Sequence, residues 1–489
     1  MPLEHRETRD WLRPGGPTCL RPNPTPHHIT MVHRYASAAN ESDCETAVEL
    51  LEPLGDNSVE FTNKSTSSGA ALVNFLKGNI GTGILALPIA FKHSGIWLGS
   101  FLLLFYAFLS TYLMHVLLRT VEIVIVKHNL DRSKVDYAEA VFNIFKYGPE
   151  CLKKYKGKAK HTINAFLLLT QLGFCCLYVL FVSQNIKYFM ESTWPGSYSN
   201  LNLIGFVVIL LIVMLNIKIS IRILSIPSAV AMVSTIAGLT LIFIYLFTSG
   251  LGDPSTLPSH TSFHEVCIAL GIFIFTFEGV ALALPIRNHM HCPDEFVATF
   301  GVLNASMVIT ACLCLMIGFF GYLCFGNDIL SSITYNIPST VVYIAVKPLF
   351  VLAIILSYLL QFYVPAVIFG RLMLKMRWHR MSSPEQQSIN RKIMRVVLIL
   401  FTYAVAMLVP HLDLMLSLLG SVSSSALSLL VPPVVELIHL WPDRQQISHF
   451  YLTVVTKNAL LLLVGLFSAI CGTAATVIQI ITVLRNGGE

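Results

Sequence analysis

Beyond residue 70 the chain is a succession of apolar blocks, each about 20 residues long, divided by shorter polar stretches. A helix of that length crosses a hydrocarbon core of roughly 30 Å. Eleven such blocks are expected to span: Ala71–Lys92, Trp97–Val121, Ile163–Met190, Leu201–Ile217, Ile223–Thr248, His264–Ile286, Phe296–Phe325, Val341–Phe369, Ile393–Val409, Leu412–Leu440 and Val454–Val483. The expected fold class is therefore an all-α polytopic membrane protein with eleven transmembrane helices, its partner the lipid bilayer. Before them, residues 1–65 are rich in Pro, Ser, Thr, Asn and His and read as a disordered tail. No cleavable signal peptide is expected in that stretch.

Two blocks carry a pattern that suits a continuous helix badly. The first contains "KGNIGTGILALP" (Lys77–Pro88), with three glycines and a proline, and the sixth contains "FEGVALALP" (Phe277–Pro285). Each stands near the start of a group of five spans, so the second group enters the membrane inverted relative to the first. Glycine- and proline-interrupted spans at matching places in two halves point to the binding site of an inverted-repeat transporter. The repeats are placed at 71–248 and 264–440, with an extra helix at 454–483, all within a transport domain of residues 66–489. A break leaves backbone N–H and C=O groups unpaired, so it must face protein, water or a ligand. Half-helix N-termini suit a carboxylate and C-termini suit an ammonium, so a zwitterionic amino acid matches the pair.

Composition agrees: of 489 residues, 54% are hydrophobic and only 12% charged. The formal net charge of +6 is not a nucleic-acid signal, because the basic residues cluster between apolar blocks. Lys127, Arg132, Lys134, Lys146, Lys153, Lys154, Lys156, Lys158 and Lys160 fill one loop, and Arg371, Lys375, Arg377, Arg380, Arg391 and Lys392 another. The loops Glu191–Asn200, Ser249–Phe263 and Gly326–Thr340 on the opposite side hold no Lys or Arg. This asymmetry places the N-terminus in the cytosol. The eleven cysteines show no metal-ligand spacing and no metal or other cofactor is expected; Cys267 and Cys324 fall near the outer ends of their spans, where they could meet.

Glu278 is the clearest acid at membrane depth, where ionisable residues are functional by default. It could take up a proton, read a substrate amine or bridge to another helix. Lys77 and Asn79 flank the first break, and Lys77 reads equally well as a snorkelling lysine. Lys347 and Asp413 read as interface residues at span ends. Glu436, after Pro432 and Pro433, reads as a gate or a helix contact. Tyr358, Gln361 and Phe362 share a helix face and either line a pocket or pack. The serine-rich "LGSVSSSALSLL" of span ten reads as close helix packing. Nothing resembles an ATP-binding loop, a nucleophile triad or a redox motif, so the chain is not read as an enzyme.

Taken together, "LKGNIGTGILALPIAFKHSG", "TQLGFCCLYVLF", "FTFEGVALALP", "LQFYVPA" and "LDLMLSLLGSVSSSALSLLVPPVVE" resemble the proton-coupled amino acid transporter branch of the amino acid/auxin permease family. The resemblance implies a LeuT-like 5+5 inverted repeat plus one helix. It implies secondary transport of small neutral amino acids such as glycine, alanine and proline, with protons as the coupling ion. The membrane would be the plasma membrane or a lysosomal, vacuolar or endosomal one. It places the substrate among Gly81, Thr82, Gly83, Phe277, Glu278 and Gly279, completed by spans three, eight and ten, to which Tyr358 and Gln361 belong. Two departures stand out. The family's span-one histidine is Asn74 here, which cannot titrate near neutral pH, leaving Glu278 to carry the proton or the protein to act as a facilitator. The outer-loop cysteine staple is also missing from Glu191–Asn200 and Gly326–Thr340. An amino acid sensor on the same fold is the reading from a different class.

Overall fold

The computed structural model describes residues 66–193, 200–218, 225–338, 340, 342–376, 383–409 and 411–486. The expected tail, 1–65, lies outside them. The described residues are helical apart from turns, loops and one isolated bridge between Thr66 and Met290.

The first apolar block is three pieces: α1 (Ser68–Asn79), α2 (Thr82–Leu85) and α3 (Leu87–Ser94). There follow α4 (Ile96–Lys127), α5 (Tyr137–Tyr147), α6 (Lys156–Thr193), α7 (Leu201–Lys218) and α8 (Ser225–Thr248). The second half starts with another broken pair, α9 (Phe263–Thr276) and α10 (Val280–Asn288). It continues through α11 (Val302–Phe325), the short α12 (Ile333–Asn336), α13 (Val346–Lys375), α14 (Pro384–Leu408), α15 (Leu412–Leu440) and α16 (Thr456–Arg485).

Among the described residues, eight helices are long and apolar enough to cross a membrane. The other three expected spans fall short for separate reasons. The first is interrupted. The fourth, α7, is apolar over Leu201–Asn216 and runs up to residues 219–224, which lie outside the described ones. The ninth, α14, opens on the polar run "PEQQSINRK" behind a Ser383 cap whose side chain accepts from Gln386 N. Helix α5, by contrast, was not among the expected elements. It lies in the lysine-rich loop, is capped by Asp136 accepting from Glu139 N at 2.7 Å, and buries one face against α6.

The two interrupted segments form the centre. Helix α3 packs on α9 and α11, α1 on α10 and α11, and α9 on α15 and α16, while α6 runs alongside α13 and reaches the first break. Phe91 meets Phe273 edge-on at 6.1 Å, one of the contacts that lock α3 to α9. Helix α15 is not uniform. Residues Gly420–Leu430 form a π-helical stretch just ahead of Pro432 and Pro433. Two successive prolines withdraw two N–H donors from that turn, and the wider turn lets Ser425 bond back to Gly420 O at 2.9 Å.

Candidate functional site

At the first break α1 ends when Ile80 turns to an extended conformation, its N–H still held by Leu76 O at 2.8 Å. Gly81, at φ −137° and ψ −153°, then leads into α2. At the second, Phe277 leaves the helix, and Gly279 N reaches only back to Phe277 O at 3.1 Å. The two breaks face each other. A Cβ placed on Gly279 would stand 2.5 Å from Asn79 Oδ1 and 3.1 Å from Phe75. One on Gly83 would stand 3.2 Å from both Phe275 and Thr276 Oγ1. Gly81 is different: a Cβ there would meet nothing within 4 Å.

Four half-helix ends thus converge: the C-termini of α1 and α9, and the N-termini of α2 and α10. Such ends offer carbonyls to a cationic group and N–H donors to an anionic one. Glu278 lies between them, 8% exposed, and its Oε2 accepts from the Ser424 hydroxyl in the π-helical stretch of α15. Its Oε1 lacks a partner among the described residues, as do Asn79 Oδ1 and Thr82 Oγ1. A buried polar atom left unpaired is costly, so these three could each take a hydrogen bond from a further group.

Of the sequence-derived site residues, Gly81, Thr82, Gly83, Phe277, Glu278 and Gly279 are brought together. Tyr358 and Gln361 stand on the flank. The Tyr358 hydroxyl is 3.0 Å from Thr402 Oγ1 on α14, its ring stacks on Phe362, and it lies beside Cys175 of α6. Gln361 lies beside Tyr178 of α6. Besides Phe75, an aromatic near the second break is Phe174 of α6, its ring 5.1 Å from that of Phe275.

Other expectations are revised. Lys77 does not snorkel outward; its Nζ donates to Ser228 O at 2.6 Å and is held by the Ser228 hydroxyl, joining α1 to α8. Lys347 and Asp413 are buried within the protein: Lys347 donates to Ile337 O at 2.8 Å, and Asp413 accepts from Ser331 Oγ at 2.7 Å. Glu436 pairs with Lys457 of α16 through both oxygens, at 2.7 and 2.8 Å, and is a helix contact. Cys267 and Cys324 are both free thiols, and Cys267 neighbours Cys471. The serines of span ten do mediate close approach, but Ser424 also holds the Glu278 carboxylate.

Two charged clusters were overlooked in the sequence. Arg287, 1% exposed, pairs with Glu122 of α4 at 3.0 Å and donates to Leu118 O and Pro293 O. The signal was an arginine directly behind "ALPI" and an acid inside the apolar "RTVEIVIV". At the opposite end His93 sits between Glu265 and Asp413.

A family model described as transmembrane amino acid transporter protein matches residues 64–478. The chain is 28% identical over 415 residues to "Probable amino acid transporter skat-1" of Caenorhabditis elegans, covering 84% of this chain and 89% of that protein. It is 29% identical over 472 residues to "Proton-coupled amino acid transporter-like protein pathetic" of Drosophila melanogaster, covering 92% and 93%. Among solved structures, the complex of MhsT with L-phenylalanine aligns over 86% of this chain and 99% of that one, at 12% identity and a TM-score of 0.43.

Proposed function

The chain belongs to the transmembrane amino acid transporter family, and on that premise we propose that it carries small neutral amino acids across its membrane by proton-coupled secondary transport. The observation that carries this reading is the pair of facing breaks with Glu278 between them. The substrate's ammonium is taken by the carbonyl ends of α1 and α9 and its carboxylate by the N–H groups opening α2 and α10. No charged side chain is then needed for either group. Close packing around Gly83 and Gly279 leaves little room beyond a small side chain, which favours substrates of the glycine, alanine or proline kind.

Glu278 is the proton carrier in this reading. It is buried, shares its Oε2 with Ser424 and keeps Oε1 free for a proton or a substrate amine. The likeness to the Drosophila proton-coupled amino acid transporter-like protein supports proton coupling. Alternating access proceeds by movement of the broken segments against their neighbours, within eleven spans arranged as a 5+5 inverted repeat plus one helix. The lysine-rich loop faces the cytosol, as does the N-terminus, in a plasma or lysosomal-type membrane. Asn74 in place of a histidine favours a second reading, an uncoupled facilitator.

Radiolabelled uptake across an amino acid panel at two external pH values tests the proposal. Small neutral amino acids should accumulate faster at the acid pH, and Glu278→Gln should abolish that difference while leaving the protein in the membrane. Uptake that ignores pH in the wild type would establish the facilitator. No uptake of any small neutral amino acid at either pH would overturn the transport reading.

A further inference from the structure

His93 closes α3 at the end of the bundle opposite the lysine-rich loop, one residue past the apolar run that ends at Lys92. Its Nδ1 is hydrogen-bonded to the Glu265 carboxylate on the first turn of α9. Its Nε2 lies 3.5 Å from Asp413 Oδ2 on the first turn of α15, an ion-pair distance rather than a direct hydrogen bond. Glu265 occupies the third position after the Ser262 cap, where a glutamate ordinarily bonds back to the cap. Here its carboxylate goes to His93. A neutral ring would turn a lone pair toward one of the two carboxylates, so the arrangement calls for imidazolium, with a donor on each nitrogen. Burial opposes that charge and the two carboxylates outweigh it.

Everything around the ring ties the same three helix ends. Thr261 Oγ1 donates to His93 O, and Ile96 N and Leu98 N bond to Pro258 O and Ser259 O, strapping the loop before α9 over the end of α3. Gly95, at φ +85°, is pressed against that strap with no space for a Cβ. Ser331 Oγ bonds Asp413, docking the loop that carries α12, and Tyr335 of α12 bonds Gln184 of α6. The other titratable groups that act on the cluster are His264 on α9, Tyr335 on α12 and His411 before α15. Of the neighbouring groups, Lys92 Nζ donates to Asn327 O and His260 bonds Ser259 Oγ. Among the described residues no group of three or more His, Cys, Asp or Glu side chains is placed to hold a metal ion.

We propose that His93, with Glu265 and Asp413, is a proton-binding latch that shuts the outer mouth of the pathway. This rests on the transport reading for the word pathway, and not for the proton site itself. Closing pairs the ring with two carboxylates, and opening returns it to water, where histidine titrates near 6.5. Closing therefore takes up a proton at any pH where the free ring is mostly neutral. The latch is fully stabilised below about 6.5 and weakens as the pH rises above that value. Its proton enters from and returns to the same side, so it controls opening without being cotransported. It opposes entry at acid pH, against the acid stimulation carried by Glu278, which should therefore be larger in His93→Gln. That separates it from Glu278.

The test reads opening without flux. Thr334 of α12 is fully buried and Ser255 is exposed on the same side. In a chain with Cys324 and Cys471 changed to serine, Thr334→Cys and Ser255→Cys are each labelled from outside with a membrane-impermeant thiol reagent between pH 6 and 9. The ratio of their rates cancels the thiol's own titration. It should rise about tenfold or more with pH in the wild-type latch, and be high and flat in His93→Gln. Asp413→Asn, which keeps the shape and the Ser331 bond, should move the rise to lower pH and serves if His93→Gln does not reach the membrane. A ratio flat with pH in the otherwise native chain, or a rise unchanged by these variants, overturns the latch. A rise in a protein that takes up no amino acid would leave the latch standing and remove the transport reading instead.

Discussion

At the scale of single residues, the glycines of the two breaks divide into those that packing requires and one that it does not. Gly279 is hemmed in by the tips of the Asn79 and Phe75 side chains, so Gly279→Ala must displace them from between the two breaks. A cost of about 1–3 kcal/mol is expected, read as a lower melting temperature in detergent together with lost uptake. Gly81→Ala meets no atom and should melt within a few degrees of wild type. If uptake falls in Gly81→Ala without loss of stability, the open space beside Gly81 is substrate space. If Gly279→Ala melts like wild type, the facing-break geometry is wrong. Glu278 was legible in the sequence as an acid in an apolar run, but its Ser424 partner was not. The two are 146 positions apart, and only the docking of α15 on α9 brings them together.

At the scale of elements, the tightest approach of α9 to α15 is between backbones. A Cβ on Gly420 would stand 1.8 Å from Gly271 O, and one on Gly271 would stand 2.3 Å from Ser417 O. Helices α9 and α15 touch there with only the small Ser417 and Ser421 hydroxyls beside the backbone contact, Ser417 donating to Ile268 O, as small residues allow in membrane bundles. Gly420→Ala should therefore cost more than about 3 kcal/mol and lower the yield of folded protein. An unaltered melting profile would refute the contact. Eight span positions could be read from hydropathy, because those apolar blocks have the length of a crossing. The π-helical stretch Gly420–Leu430 could not, since its glycine and serines read equally as close helix packing and the prolines that favour the wider turn, Pro432 and Pro433, lie downstream. Helix α5 escaped for another reason: it has only 11 residues, and hydropathy weighed its basic loop for charge rather than for its buried face.

At the scale of the whole molecule, the asymmetry of basic loops carries a topological prediction. With the lysine-rich loop in the cytosol, Lys158→Cys should react with an impermeant thiol reagent only after the membrane is permeabilised, and Ser255→Cys in intact cells. The reverse pattern would invert the orientation and move the His93 latch to the cytosolic side. The sequence alone determined that the chain is a bundle of apolar helices, that two of its spans are broken, and which family it joins. Length, hydropathy and glycine–proline placement are properties of consecutive residues and need no fold to be read. The tertiary structure decided which distant residues become partners: Glu278 with Ser424, Arg287 with Glu122, and His93 with Glu265 and Asp413. Those pairs exist because burial in a low-dielectric bundle leaves a charged or polar group no water to bond. Helix packing then selects, from anywhere along the chain, the group that satisfies it.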